Sequence, residues 1–265
     1  MAGALGAICD GIETATLDAT PVLRKMIRPL DDAEAVALAA ADRFLAAALE
    51  AVQERGRFVV VLSGGSTPSR MYRKLASDPL RSRIPWGQTV VLFGDERHVG
   101  PNDEQSNYRT AREALLDRVP IPPDRVHRMR GELEDAEASS AAYESILHGL
   151  FPDAHAPRFD LLLLGIGEDG HTASLFPGTE ALEESSRWVA ANHVPKLDGW
   201  RITLTFPALC AAREICFVIT GENKARVVAE AFGGLPHPTV HPCERVVPVE
   251  GHRVILVDRE AASQL

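Results

Sequence analysis

The chain is poor in cysteine, and its cysteines have no metal-binding or redox spacing. Cys9, Cys210, Cys216 and Cys243 are scattered over 265 residues without a C-x-x-C pair. That excludes a zinc ribbon or a disulfide scaffold, and in a chain this long the four read as reduced thiols of a cytoplasmic protein. No apolar run approaches the about 20 residues that cross a bilayer, so no membrane association is expected. The opening stretch, MAGALGAICDGIETATLDATP, lacks a basic segment ahead of an apolar one. It reads as a loosely ordered extension over residues 1–25 and not as a secretory leader. Positive charge is also short: 28 Lys and Arg against 37 Asp and Glu give a formal net charge of −9. Without a concentrated basic patch, no nucleic-acid partner is expected.

Several catalytic signatures are missing too. No Gly-Lys-Ser/Thr follows the glycine-rich turn at Ser63–Thr67, which removes a Walker A loop. No G-x-S-x-G elbow is present, which removes the α/β-hydrolase type of serine nucleophile. His237 and His241 flank prolines in a loop with no third ligand in view, so no metal site is expected. No repeat, low-complexity tract or linker divides the chain, and residues 26–265 read as a single α/β domain.

What is present is an ordinary globular composition, 45% hydrophobic and 25% charged, with strands and helices in alternation. Asp31 to Arg55 predicts a helix, capped by Asp31 or Asp32 and stopped by Gly56, with Leu38, Leu45, Leu49 and Val52 as its apolar stripe. Phe58 to Leu62, Thr89 to Phe93 and Leu161 to Leu164 are short apolar runs, as expected of strands buried on both faces. Ile202 to Thr205, Ile215 to Thr220 and Arg253 to Val257 read as further strands. Helices are expected from Pro68 toward Ala76 with Ser66 or Thr67 as cap, over Asn107 to Asp117, over Asp135 to Leu150, and from Gly221 to about Phe232. The alternation predicts a mostly parallel, doubly wound, Rossmann-like sheet with helices on both faces.

The turns after these strands carry the chemistry-bearing residues, and in open α/β sheets ligands bind beyond the carboxyl ends of the strands. Ser63-Gly64-Gly65-Ser66-Thr67 combines glycines, hydroxyls and a helix N-terminus, a combination suited to one phosphate group. Asp95-Glu96-Arg97-His98 places titratable groups at the end of another buried strand, where Arg97 suits a carboxylate, a phosphate or a developing oxyanion. Gly165-x-Gly167-x-x-Gly170 matches the dinucleotide fingerprint by letters. Glu168 and Asp169 among its glycines would repel a pyrophosphate, however, and NAD is not expected. Asp169 and His171 make better sense as an orienting carboxylate and a general base. Arg201 and Lys224, each beside a predicted strand, could complete a phosphate site.

Taken together, LSGGSTP (Leu62 to Pro68), GDERHV (Gly94 to Val99), SNY (Ser106 to Tyr108), GIGEDGHTASLFPG (Gly165 to Gly178), RITLTFPAL (Arg201 to Leu209) and TGENKA (Thr220 to Ala225) resemble the 6-phosphogluconolactonases in content and order. The resemblance runs from about Leu30 onward. It implies a fold similar to that of glucosamine-6-phosphate deaminases and hydrolysis of 6-phospho-D-glucono-1,5-lactone without metal or cofactor, by a monomer acting on a small sugar phosphate. It assigns His171 as general base and then acid, Asp169 as its orienting partner, and Arg97 to the oxyanion or a sugar hydroxyl. Asp95 would position Arg97 or a hydroxyl. Gly64, Gly65, Ser66, Thr67, Arg201 and Lys224 would hold the 6-phosphate. The deaminases carry His-Ile-Ala-Phe-Asn-Glu-Pro after the shared Asp-Gly. Here His171-Thr172-Ala173-Ser174-Leu175-Phe176-Pro177 lacks that glutamate, which favours the lactonase over an isomerase or deaminase. A sugar-phosphate sensor of the same fold would need a basic helix-turn-helix segment, and none is seen.

Overall fold

The computed structural model describes residues 27–265, so the expected extension over residues 1–25, with Cys9, lies outside the described residues. Among the described residues, six strands form a wholly parallel sheet. They are β1 (Ile27–Leu30), β2 (Phe58–Leu62), β3 (Thr89–Phe93), β5 (Leu161–Leu164), β8 (Glu214–Ile219) and β9 (His252–Asp258), in the order β1-β9-β8-β5-β2-β3. Every residue of β2, β3, β5 and β8 is buried. Alternate side chains enter two separate cores, as the two-residue period of a strand requires. Val59, Val61, Leu162, Leu164, Phe217 and Ile219 pack on one side, and Phe58, Val60, Leu62, Leu161, Leu163 and Val218 on the other. The expected doubly wound α/β architecture is therefore present.

The first core is closed by Tyr143 and Leu147 of one helix, Ala136–Leu150, and by Val228 and Phe232 of another, Ala225–Gly233. The second is closed by α1 (Ala33–Arg55), α2 (Ser66–Leu75) and α3 (Asn107–Ala114). Asp32 caps α1 by accepting from the Ala35 N–H at 2.8 Å, and Gly56 ends it in the left-handed region at φ 72°. The expected stripe of α1 needs correction. Leu38 and Leu49 are about half exposed, and the buried face is Val36, Ala37, Ala40, Ala41, Phe44, Leu45, Ala48 and Ala51. That alanine-rich face also recurs with helical spacing, and its small side chains let α1 lie close against the sheet and α2.

A second, antiparallel sheet was not anticipated. β4 (Asp95–Arg97), β6 (Val189–Val194) and β7 (Gly199–Leu204) pair in the order β4-β7-β6. The stretch Asp95–Arg97, expected as a loop, is thus a short strand, and Ile202 to Thr205 belongs largely to this sheet and not to the parallel one. Gly94 makes the switch between sheets. Its N–H donates to the Leu62 carbonyl at 2.9 Å, and its carbonyl accepts from the Leu204 N–H at 2.9 Å. The parallel sheet reverses its winding between β2 and β5, and at that crevice the second sheet folds over the carboxyl ends of the strands.

Candidate active site

A cavity of about 370 Å3 opens at this switch point. It is lined from the turn after β2 by Ser63, Gly64 and Gly65, from β4 by Asp95 and Arg97, and from the turn after β5 by Gly165, Ile166 and His171. Lys196 and Arg201 reach it from the β6–β7 hairpin. Of the residues singled out from sequence, His171, Arg97, Asp95, Gly64, Gly65 and Arg201 meet at this cavity. Asp169, Ser66, Thr67 and Lys224 are not among its lining residues. Gly65, not Ser66 or Thr67, is the N-cap of α2, and the Thr67 hydroxyl is 2.7 Å from that of Thr220, tying the α2 N-terminus to the end of β8.

The turn after β5 is built to hold one histidine. The Gly167 N–H donates to the His171 carbonyl at 2.8 Å, the Gly170 N–H to the Gly167 carbonyl at 3.1 Å, and the Thr172 hydroxyl to the Gly165 carbonyl at 2.9 Å. Gly170 sits at φ 77°, a left-handed conformation that glycine adopts without a Cβ penalty. Closed this way, the turn brings His171 Nδ1 to 2.5 Å from Asp169 Oδ1. The ring is backed by Phe176, stacked at 4.0 Å between centroids. Asp169 Oδ2 accepts from Lys196 Nζ. Partial burial acts to raise the Asp169 carboxyl, but the hydrogen bonds from His171 and Lys196 outweigh it and hold the group well below the usual carboxylate range. An ionised carboxylate only accepts, so Nδ1 carries a proton, and in the neutral ring the lone pair falls on Nε2. Glu168 is turned away, accepting from Asn223 Nδ2 at 2.6 Å.

Across the cavity, Arg97 and Arg201 are opposed partners on β4 and β7. Burial, and then the Arg97 charge, pull the Arg201 guanidinium below its ordinary value. The nearby acids Asp95 and Glu96 act on Arg201 through space but form no ion pair with either guanidinium. Asp95 accepts from the Ser174 hydroxyl at 2.6 Å and from Asn107 Nδ2 at 3.2 Å, and it makes no direct bond to Arg97. Glu96 accepts from the backbone N–H groups of Arg97, Asn107 and Tyr108 at 2.8–2.9 Å and from the Ser106 hydroxyl at 3.0 Å. Burial pushes the Glu96 carboxyl up, and those N–H groups pull it back. Two cations with no carboxylate of their own make this wall a receptor for an anion.

Sequence reasoning missed Lys196, Asn107, Ser174 and Phe176. Asn107, Ser174 and Phe176 lie inside the resembling motifs, so a signal existed. Asn107 also sets a packing limit, since a Cβ on Gly64 would lie 1.8 Å from its Oδ1. Lys196 stands in a turn with no pattern of its own. The expectation about metal ligands also needs correcting. His237 and His241 do have a third potential donor, Glu244, and one donor atom from each lies within 4.8 Å of the others. These groups are engaged already. His241 and Glu244 cap the helical turn Pro242–Arg245 reciprocally, and His241 Nε2 lies 2.8 Å from Glu230 Oε2. The cysteines Cys210, Cys216 and Cys243 are buried, with burial pushing the Cys216 and Cys243 thiols up to about 12. Among the described residues no helix is long and apolar enough to cross a membrane.

Residues 31–255 match the family described as glucosamine-6-phosphate isomerases/6-phosphogluconolactonase. A 6-phosphogluconolactonase of Nostoc sp. is 36% identical over 245 residues, covering 92% of this chain and 99% of that protein. One of Streptomyces coelicolor is 40% identical over 247 residues, covering 88% and 92%. The solved 6-phosphogluconolactonase from Trypanosoma cruzi superposes with a TM-score of 0.80 at 29% identity, covering 90% of this chain and 96% of that one. The chain belongs to the glucosamine-6-phosphate isomerase/6-phosphogluconolactonase family, and within it to the 6-phosphogluconolactonases.

Proposed function

We propose that this protein hydrolyses 6-phospho-D-glucono-1,5-lactone to 6-phospho-D-gluconate by general acid–base catalysis. The observation that carries the reading is the Asp169–His171 pair on a cavity that Arg97 and Arg201 also line. His171 Nε2 takes a proton from water as its oxygen bonds to the lactone carbonyl carbon, and the carbonyl becomes a tetrahedral oxyanion. Asp169 holds the ring in its tautomer and stabilises the imidazolium. Collapse of the intermediate breaks the bond to the ring oxygen, which receives the proton from His171. Arg97 stabilises the oxyanion or holds a hydroxyl, and Asp95, fixed by Ser174 and Asn107, orients a substrate hydroxyl. In this reading Arg201, the Gly64–Gly65 backbone at the α2 N-terminus, Ser66, Thr67 and Lys224 bind the 6-phosphate, although the last three do not line the cavity. A lactone is an activated ester, so these groups suffice without a metal or a covalent intermediate.

Phe176 favours this reading over deamination. By count from His171 it occupies the place of the deaminase glutamate, and its ring stacks on the histidine where ring-opening chemistry would need a carboxylate. The same reading makes the protein a cytoplasmic monomer with a small-molecule substrate and no nucleic-acid partner. Acid release from freshly generated lactone, measured above spontaneous hydrolysis with a chelator present, tests it. A large acceleration supports the proposal. Ammonia release from glucosamine 6-phosphate, with no effect on the lactone, overturns it.

A further inference from the structure

Lys196 is the charged residue of the cavity for which the mechanism above has no task. It projects from the helical turn Pro195–Leu197 between β6 and β7, closed by Asp198 at φ 43° and by the Asp198 N–H to the Pro195 carbonyl at 3.1 Å. Its ammonium lies 4.6 Å from the Phe176 ring centroid and donates to Asp169 Oδ2. Asp169 therefore accepts from two donors at once, His171 through Oδ1 and Lys196 through Oδ2. Arg201 stands on the same hairpin, its guanidinium reaching back toward the turn: a Cβ on Gly199 would lie 3.2 Å from Arg201 Nη1. An anion seated on Arg201 therefore lies on the side from which Lys196 reaches Asp169. The lysine side chain is about half exposed and rests on an aromatic face, so it is free to exchange one anionic partner for the other.

We propose that Lys196 is a positioning residue that couples anion binding to the strength of the catalytic base. In the free protein its ammonium offsets part of the Asp169 charge, and His171 is the weaker base for it. When the substrate phosphate settles near Arg201, Lys196 turns to it, and Asp169 acts on His171 undiminished. The other charged groups facing His171 are Arg97 and Asp95 from β4 and Arg201 from β7, while Glu168 is held away by Asn223. None of these bonds Asp169, so the exchange belongs to Lys196.

The kinetic form of this proposal rests on the lactonase reading, and two assays separate their failures. The pH profile of kcat/KM reports the free enzyme, and that of kcat reports the substrate complex. In Lys196→Met the acid limb of kcat/KM should move to higher pH by roughly 0.5–1 unit while that of kcat stays in place. Lys196→Arg should keep the wild-type separation. The second assay needs no turnover: NMR titration of the His171 ring with and without saturating inorganic phosphate. Phosphate should shift the midpoint upward more in the wild type than in Lys196→Met. Unmoved limbs, equal displacement of both limbs, or equal phosphate shifts in the two proteins would overturn the coupling. Absence of lactone hydrolysis by the wild type would overturn the lactonase reading alone and leave the NMR arm to decide the coupling.

Discussion

Gly167→Ala is the substitution that isolates the Asp169–His171 contact. A Cβ built on Gly167 lies 2.0 Å from His171 Nδ1, 2.2 Å from His171 Cε1 and 2.6 Å from Asp169 Oδ1. Carbon needs roughly 3.5 Å from such atoms, so the methyl drives the ring and carboxylate apart by more than about 1 Å. The backbone at Gly167 is outside the left-handed region, so alanine adds no conformational strain and the damage is confined to the pair. A misplacement of about 1 Å costs on the order of 10²-fold, and full loss of the proton shuttle costs roughly 10²–10⁴-fold. The expected result is a kcat lower by about 10²–10³-fold, with a cooperative thermal transition retained at a lower midpoint. The assay is initial-rate acid release from 6-phosphogluconolactone, beside circular dichroism of the same sample. A folded Gly167→Ala protein within about threefold of wild-type kcat would refute the argument that this hydrogen bond sets the base.

Glu96→Gln should destabilise the fold, because one amide oxygen cannot serve the donors that two carboxylate oxygens now satisfy. Each buried N–H left without an acceptor costs about 1–3 kcal/mol, and urea unfolding measures the sum. Asp169 has a depressed folded-state pKa, so its contribution to stability is present above the unfolded carboxyl pKa of about 3.9 and is lost as pH falls toward the lower folded value. Stability of the wild type should therefore fall more steeply than that of Asp169→Asn as pH drops below about 4, as followed by denaturant unfolding.

Much of the fold was legible because the parallel strands are continuous apolar runs bounded by glycine. β2 and β3 coincide with Phe58–Leu62 and Thr89–Phe93, and the caps at Asp32 and Gly56 bound α1 where expected. The antiparallel sheet was not legible. β4 is three residues of Asp, Glu and Arg whose extended form is imposed by pairing with β7, and β6 is the half-polar run VAANHV. Neither carries a periodic signal. The stripe of α1 misled because leucine weighs more than alanine in a pattern, whereas close packing against the sheet selected the smaller side chains. In the candidate site, the turn residues were readable because glycines, acids and histidine crowd a strand end. Lys196 was not, since it meets Asp169 only after the β6–β7 hairpin folds back over the cavity. The supposed lack of a third ligand at His237 and His241 failed for a related reason: Glu244 lies one helical turn beyond His241 and becomes its capping partner.

The most direct test of the account is turnover by His171→Ala, compared with the wild type on freshly generated 6-phosphogluconolactone, with spontaneous hydrolysis subtracted and chelator present. Strong catalysis by the wild type and a kcat lower by roughly 10²–10⁴-fold in the variant, with the fold retained, are expected. Near-native turnover in a folded His171→Ala protein would contradict it.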